Sequence, residues 1–482
     1  MTIHDLEPRE VFNEFYQITR IPRPSKHEQQ IGAYLVDWAK RHGLEYQTDP
    51  IGNVIIRKPA TLGLESHQGV ILQAHQDIVC EKNSDVNHDF MTDPIETWVD
   101  GEWLKAKGTT LGGDDGIGIA MALAVLASDS LQHPALECLF TVDEETGLTG
   151  AFALQDGMLN GKVLINLDSE DDGEVFIGCA GGIDTTVYFN IERMKSQFDQ
   201  PFAATIAVSG LMGGHSGDDI DKGRGNANKI IVRFLYQLLN SIPFEVSEIS
   251  GGNLRNAIPR EARATIVIPQ AYKEKLRVEF NMFLADIQEE LKNPESDLQM
   301  TLCSTELPAM VYTDDLTKRL ILALYACPHG PIRMSQDMKG LVETSTNLAS
   351  IKEIDGNIVV ATSQRSSVDS AKHDIKNMVS SVFELSGAKV THGDGYPGWK
   401  PNTKSHVLDV AVEAYNDLFH AEPKVRAIHA GLECGLFLEK YPYLDMISIG
   451  PGMVGVHSPQ ERLNIPSTGR CWEWLKAILS RL

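Results

Sequence analysis

Five short stretches of this sequence place histidine or carboxylate side chains where metal chemistry would need them. GVILQAHQD puts His75 and Asp77 just past an apolar run, and strand alternation turns positions 75 and 77 to the same side. A histidine that ligates a metal needs its second nitrogen held so that one tautomer faces the ion, and Asp77 is placed to hold it. The plainer reading of the same pair is a surface turn. TLGGDDGIG at 110–118 is a glycine-rich turn with Asp114 and Asp115 at a helix start. Aspartate is a favoured N-cap, so capping also accounts for them. A phosphate loop does not, because GKS/T is absent and two carboxylates repel a phosphate. FTVDEETG at 140–147 sets three acids side by side, which costs energy unless a cation neutralises them or one is protonated. Glu145 there is a candidate ligand and Glu144 a candidate general base. NLDSEDDGE brings Asp168 to the end of another apolar run, and SIGPGMVGVHSPQE places His457 in a glycine-rich loop after a further one.

The elements that must position these residues are legible as alternating strands and helices. Val11, Phe12, Phe15 and Ile18 recur at helical spacing. Ser25 followed by Glu28 reads as a capping box opening a helix with Ile31, Tyr34, Leu35 and Trp38 on one face, ended by Gly43. Apolar strands are expected at 53–57, 69–74, 136–142 and 163–168, with a buried helix from about Gly116 to Ala127. Buried strands alternating with helices predict an α/β fold with a mostly parallel, helix-covered sheet. Sites in such sheets lie at the carboxyl ends of the strands, which is where four of the five stretches fall. The middle of the chain reads as two strand–helix units, strands at 204–211 and 262–268 and helices near 231–239 and 276–291, which predict a small α/β-plait. A helix near 407–418, a strand at 446–451 and a helix near 468–482 return to the first style. The expected organisation is a discontinuous domain, 1–188 plus 385–482, with a smaller domain, 189–384, inserted; GDGYPGWKPN at 393–402 is the clearest loop.

Composition narrows the partners. Of 482 residues, 66 are acidic and 43 basic, giving a net charge of −23. That surface repels phosphate backbones and anionic lipid, which argues against nucleic-acid and membrane partners. The opening MTIHDLEPRE lacks an export signal, and the seven cysteines form no CxxC pair, so reduced thiols and a cytoplasmic location are expected. Two histidines and three carboxylates, with the cysteines elsewhere, suit a pair of zinc or similar divalent ions.

The stretches QAHQDIV, KGTTLGGDDGIGIA, DEETGLTGAF, NLDSEDDGE, CAGGID, GLMGGHSG, GNANK, LRNAIPREA, YPGW, IHAGLECGLF and SIGPGMVGVHSP together resemble the di-zinc metallopeptidases that include carnosinases, aminoacylases and bacterial dipeptidases. The resemblance implies a zinc-exopeptidase-like catalytic domain with an inserted lid and homodimerisation domain. It implies hydrolysis of dipeptides, preferentially Xaa-His and including β-alanyl-histidine, with other dipeptides, tripeptides or N-acyl amino acids as alternatives and a non-catalytic metal-dependent binding protein as a remote one. It implies that Asp114 bridges two divalent ions, zinc with manganese or cobalt as alternatives. His75 and Asp168 then complete one site and Glu145 and His457 the other; Asp77 orients His75, and Glu144 is general base and then acid. His215 of GGHSG is implied to stabilise the oxyanion, Asn256 to contact substrate and Arg365 to bind its terminal carboxylate. The Asp114–Asp115 peptide is expected to be cis. The chain departs from its relatives at Gln76 and Asp115, where Leu and Asn are usual. His429 and Glu433 are candidates for supporting the site or lining its specificity pocket; His88 and His133 read as structural.

Overall fold

The computed structural model describes residues 2–482. Contacts divide the chain into two units: residues up to 179 with 399–427 and 432–482, and residues 180–398 with 428–431. The division falls at 179/180 and 398/399, where the sequence suggested 188/189 and 384/385. The cause is one strand, Gly181–Asn190, which pairs along its length with Asn357–Ser366 and on its other side with Lys389–His392. Both flanking segments therefore belong to the second unit. The short return at 428–431 is fastened there because the Ala180 N–H bonds the carbonyls of Ile428 and Ala430.

The first unit is built on an eight-stranded sheet. Its order is Glu45–Thr48, Val54–Lys58, Leu136–Thr141, Val70–His75, Val163–Asn166, Asp445–Ser448, Glu174–Cys179, Lys424–Ile428. The four central strands run parallel, and antiparallel pairing is confined to the flanks. Val70–His75, Leu136–Thr141 and Val163–Asn166 are buried at every position, as expected of strands covered on both faces. The helix Gly113–Ala127 is buried from Gly113 to Leu126, so it is apolar all round rather than amphipathic. Its first turn is irregular: the Asp114–Asp115 peptide is cis and neither residue has helical φ/ψ.

The capping box expected at Ser25 and Glu28 does not form. The helix Gln29–Arg41 starts without a side-chain cap. Ser25 instead donates to Asp77 Oδ2 at 2.8 Å, and Glu28 accepts the N–H groups of Lys26 (2.7 Å) and Asp143 (3.0 Å). Asp77, 52 residues from Ser25, and the Asp143 N–H, 115 residues from Glu28, have drawn the two side chains away from a cap.

The second unit contains the predicted plait and extends it. Strands Gln299–Ser304, Pro201–Ser209, Ala262–Pro269 and Glu245–Gly251 lie in that order, with helices Ala227–Leu238 and Lys273–Leu291 as crossovers. A single pairing, Gly251 with Ile351, joins them to the long hairpin Val342–Ile354/Asn357–Ser366, making a nine-stranded sheet. One core packs Ile206, Ile266, Leu348 and Ile358 of the sheet under Phe234, Phe280, Phe283 and Phe383 of the helices. Among the described residues no helix is long and apolar enough to cross a membrane, and all seven cysteines are free, five of them buried.

Candidate functional site

The parallel strands of the first unit end in the predicted residues. His75 closes Val70–His75, Glu144 and Glu145 follow Leu136–Thr141, and Asp168 lies two residues past Val163–Asn166. Asp114 comes from the irregular helix start, and His457 from the loop after Asp445–Ser448, where it holds a left-handed φ of 60°. These residues converge. His75 Nε2 is 2.9 Å from Asp114 Oδ1 and 3.5 Å from Asp168 Oδ1. His457 Nε2 is 3.0 Å from Asp114 Oδ2 and 3.0 Å from Glu145 Oε2. The two oxygens of Asp114 thus face two different histidine–carboxylate pairs.

Asp77 supports this arrangement from behind. It is fully buried, its Oδ1 is 3.3 Å from His75 Nδ1, and it accepts the N–H groups of Glu144 (2.9 Å) and Glu145 (3.2 Å). One carboxylate therefore touches a predicted ligand and the backbone of another. Asp115 points away from Asp114: it accepts the N–H of His75 (3.3 Å) and of Gly118 (3.1 Å), fastening strand end to helix.

The electrostatics show what this cluster lacks. Burial pushes the carboxyls of Asp115, Glu144 and Asp168 well above the ordinary range, and neighbouring acids add to the push. Hydrogen bonds to Asp114 and Glu145 push His457 up to about 11. Burial disfavours a charged His75, but Asp168 and Asp114 outweigh it and raise that imidazole too. So many acids around two imidazoles form a site short of positive charge. A divalent cation fits the donors. One ligand atom from each of His75, Asp114 and Glu145 lies within 4.8 Å of the others, and Glu145 Oε1 is buried with no hydrogen-bond partner. A second buried trio, Glu28, Asp77 and Asp143, is as compact, but its oxygens already accept backbone N–H groups and the hydroxyls of Ser25, Thr146 and Thr149. It is a hydrogen-bonded framework, not an open donor set.

The remaining predicted residues lie in the second unit, where they form a group of their own. The GGHSG and NAIP segments pair: Ser216 N–H bonds Asn256 O at 2.8 Å, and Ile258 N–H bonds Gly214 O at 2.9 Å. His215 Nδ1 is 3.3 Å from Asp218 Oδ2. Arg365, on Asn357–Ser366, is buried and donates to the Tyr396 hydroxyl at 3.0 Å, while its Nε has no partner. His429 Nε2 is 2.7 Å from the hydroxyl of Ser345, the residue paired across the sheet with Arg365.

Comparison with known proteins gives this geometry its context. A model described as "Peptidase family M20/M25/M40" matches residues 71–481. The chain belongs to this peptidase family. It is 43% identical over 482 residues to a protein of Escherichia coli (strain K12) named cytosol non-specific dipeptidase, covering 100% of this chain and 99% of that one. The crystal structure of aminoacylhistidine dipeptidase from Vibrio alginolyticus superposes with a TM-score of 0.93 at 44% identity, covering 100% of this chain and 98% of that one. The aminopeptidase PepT from Bacillus cereus shares the fold, with a TM-score of 0.57 at 16% identity and 98% of each chain covered. This M20-family chain is a hydrolase acting on peptide bonds.

Two features of the M20 peptidase were only half legible. Glu433 and His429, four residues apart, fall in different units. Glu433 is fully buried, accepts from Gln73 (2.6 Å) and Thr141 (2.7 Å), and is pushed up to about 7 by burial. Burial and the charge of Arg365 drive His429 down to about 3, so that imidazole is neutral at physiological pH. Sequence reasoning missed Gln73 and Asn166, whose side chains bond at 2.6 Å between paired strands, each two residues before a predicted ligand. The available signal was an uncharged polar residue interrupting each apolar strand.

Proposed function

We propose that this M20 peptidase is a di-metal dipeptidase that prefers Xaa-His substrates, β-alanyl-histidine included, and works in the cytoplasm as a homodimer through its inserted unit. The observation that carries the reading is Asp114, with one oxygen facing His75 and Asp168 and the other facing His457 and Glu145. In this reading His75, Asp114 and Asp168 would hold one divalent cation and Asp114, Glu145 and His457 a second, zinc first with manganese or cobalt as alternatives; when bound they would supply Lewis-acid polarisation of the scissile carbonyl and a lowered pKa for the attacking water. Glu144 takes the proton from that water and returns it to the leaving amine. Its raised proton affinity runs in the direction a base working near neutral pH requires. Asp77 holds the His75 ring and the Glu144–Glu145 backbone in one arrangement. In the second unit, the planar fork of Arg365 suits the terminal carboxylate of a short peptide. His215 donates to the carbonyl oxygen as negative charge develops there, and Asn256 adds a substrate contact.

Two relatives of 43% and 44% identity, both named dipeptidases, support the length of the substrate. Their names differ in breadth, one non-specific and one for aminoacylhistidine. That difference gives weight to a second reading, the same core acting broadly on dipeptides. The name of the Escherichia coli relative supports the compartment, and the family resemblance supports the homodimer.

The test is hydrolysis of β-alanyl-histidine and matched Xaa-His and Xaa-Leu dipeptides by purified protein, with chelator and with zinc add-back. Chelator-sensitive cleavage that zinc restores, faster on Xaa-His, is the expected result. Equal rates on Xaa-Leu would replace the preference with the broad reading. No cleavage by zinc-replete protein would overturn both.

A further inference from the structure

The turn Leu111–Gly113, which delivers Asp114, is gripped from two sides by buried side chains that have no part in the roles above. Glu461 is 3% exposed. Its Oε2 accepts the N–H groups of Leu111 (2.7 Å) and Gly112 (3.1 Å), and its Oε1 accepts that of Gly113 (2.7 Å). Three consecutive N–H groups ahead of Asp114 therefore converge on one carboxylate. Arg23, equally buried, donates from Nη2 to the Gly112 carbonyl at 2.6 Å and from Nη1 to the carbonyls of Gln76 and Asp77 at 2.9 Å each. The grip leaves no slack. Gly112 has a φ of +69°, and a Cβ there would meet Arg23 Nη2 at 2.8 Å; a Cβ on Gly113 would meet Met453 Sδ at 2.9 Å.

The connectivity gives the grip its meaning. Glu461 follows His457 by four residues, so it ties the His457 loop to the Asp114 turn. Arg23 ties that same turn to the chain just beyond His75. Of the segments that meet at Asp114, the one that carries His75, the turn of Asp114 itself and the loop of His457 are thus locked together by one acid and one guanidinium. A carboxylate collecting several N–H groups fixes their directions as well as neutralising their partial charges.

We propose that Glu461, with Arg23 as its counterpart, is a positioning residue of the metal centre: it sets where Asp114 stands between the His75 side and the His457 side. The proposal rests on the di-metal reading above. Glutamine at 461 keeps the size of the side chain but has one acceptor oxygen. Either way it flips, its NH2 faces an N–H, at Gly113 or at Leu111 and Gly112. The turn must then open beside Asp114.

The experiment compares full-length wild type, Glu461→Gln and Glu461→Asp. It measures Zn2+ affinity against a competing chelator, kcat and KM on a dipeptide, thermal midpoint, and hydrogen exchange across residues 111–116. For Glu461→Gln, Zn2+ affinity falls by about 10–100-fold at one or both sites and kcat falls by a similar factor. KM moves less than about threefold, exchange at 111–116 speeds up, and Glu461→Asp, which keeps the charge, recovers part of the affinity. A side chain that merely stabilised the fold would lower the thermal midpoint and leave Zn2+ affinity and kcat of the folded protein at wild-type values; that result overturns the proposal. If Glu461→Gln does not fold, Glu461→Asp against wild type makes the same comparison, and unchanged affinity and kcat overturn it equally. Wild-type protein that binds no Zn2+ would sink the di-metal reading and this proposal with it, whereas a zinc-loaded wild type beside an unaffected Glu461→Gln sinks this proposal alone.

Discussion

Replacing Asp77 with asparagine removes one negative charge and turns one acceptor oxygen into a donor, with almost no change of volume. Four partners feel it. Oδ1 faces His75 Nδ1 and the Glu144 N–H, and Oδ2 faces the Glu145 N–H and the Ser25 hydroxyl. If the amide NH2 took the Oδ1 place it would face the Glu144 N–H and the donor nitrogen of His75. The better flip puts NH2 at Oδ2, where Ser25 can rotate to accept from it but the Glu145 N–H loses its acceptor. A buried donor left unsatisfied costs about 1–3 kcal/mol. The 3.3 Å contact between Oδ1 and the His75 ring also loses its charge attraction. The expected sum is a loss of about 2–4 kcal/mol in stability, concentrated on the backbone of Glu145 and the ring of His75. Because both are proposed ligands, one on each side of Asp114, zinc affinity or activity should fall by about 10–100-fold. At about 1.4 kcal/mol per decade, a 10–100-fold loss of activity is about 1.4–2.8 kcal/mol on the barrier. The assay is kcat/KM on an Xaa-His dipeptide, with zinc stoichiometry measured on the same preparation. Asp77→Asn protein that holds two zinc ions and turns over within twofold of wild type would refute the orienting role.

Three other predictions follow from the same structure. Glu144→Gln should lower kcat by about 10²–10⁴-fold, the usual worth of general-base catalysis, while zinc content stays near wild type; a variant with wild-type kcat would remove Glu144 from the mechanism. Gly450 follows the strand Asp445–Ser448, and a Cβ there would lie 1.6 Å from the Ser169 carbonyl oxygen, backbone that adjoins Asp168. Gly450→Ala should therefore cost about 3 kcal/mol and weaken zinc binding, and a thermal midpoint unchanged from wild type would contradict the packing. His329 is held down at about 4 by burial and then by the charge of Lys229. An imidazole whose pKa is depressed on folding contributes stability that is present above its unfolded value, about 6.5, and is lost as pH falls through the folded one. Wild type should lose about 2 kcal/mol between pH 7.5 and pH 5 that His329→Gln does not lose, and equal pH dependence in denaturant titrations of the two proteins would exclude the imidazole as the cause.

The ligands proposed here were easier to see in the sequence than the residues that hold them, and the reason is range. A strand buried on both faces is an apolar run, and the histidine or acids at its end stand out; His75, the acid run at 143–145 that holds Glu145, and Asp168 were all read that way. The cis Asp114–Asp115 peptide came from family resemblance, not from any local pattern. Holders leave no such mark. Arg23 reaches Gly112 across 89 residues, and Glu461 reaches Leu111 across 350. Spacing rules compare residues three or four apart, and at that range Ser25 and Glu28 looked like a cap when their side chains were committed to Asp77 and Asp143. The misplaced domain boundary has the same origin. The polar alternation of Gly181–Asn190 is ordinary for a strand covered on one face, and nothing within it says that its partners lie at 357–366 and 389–392. A buried Arg or Glu is nonetheless a signal of its own kind. Such a group is rarely buried without distant partners that satisfy it. In a chain whose ligands sit on loops far apart in sequence, those distant partners are the backbone of the loops themselves, so a buried arginine or glutamate bonded to loop backbone marks where the site is fastened rather than where it reacts, even where, as at Glu461 beside Arg462, its sequence neighbours are charged.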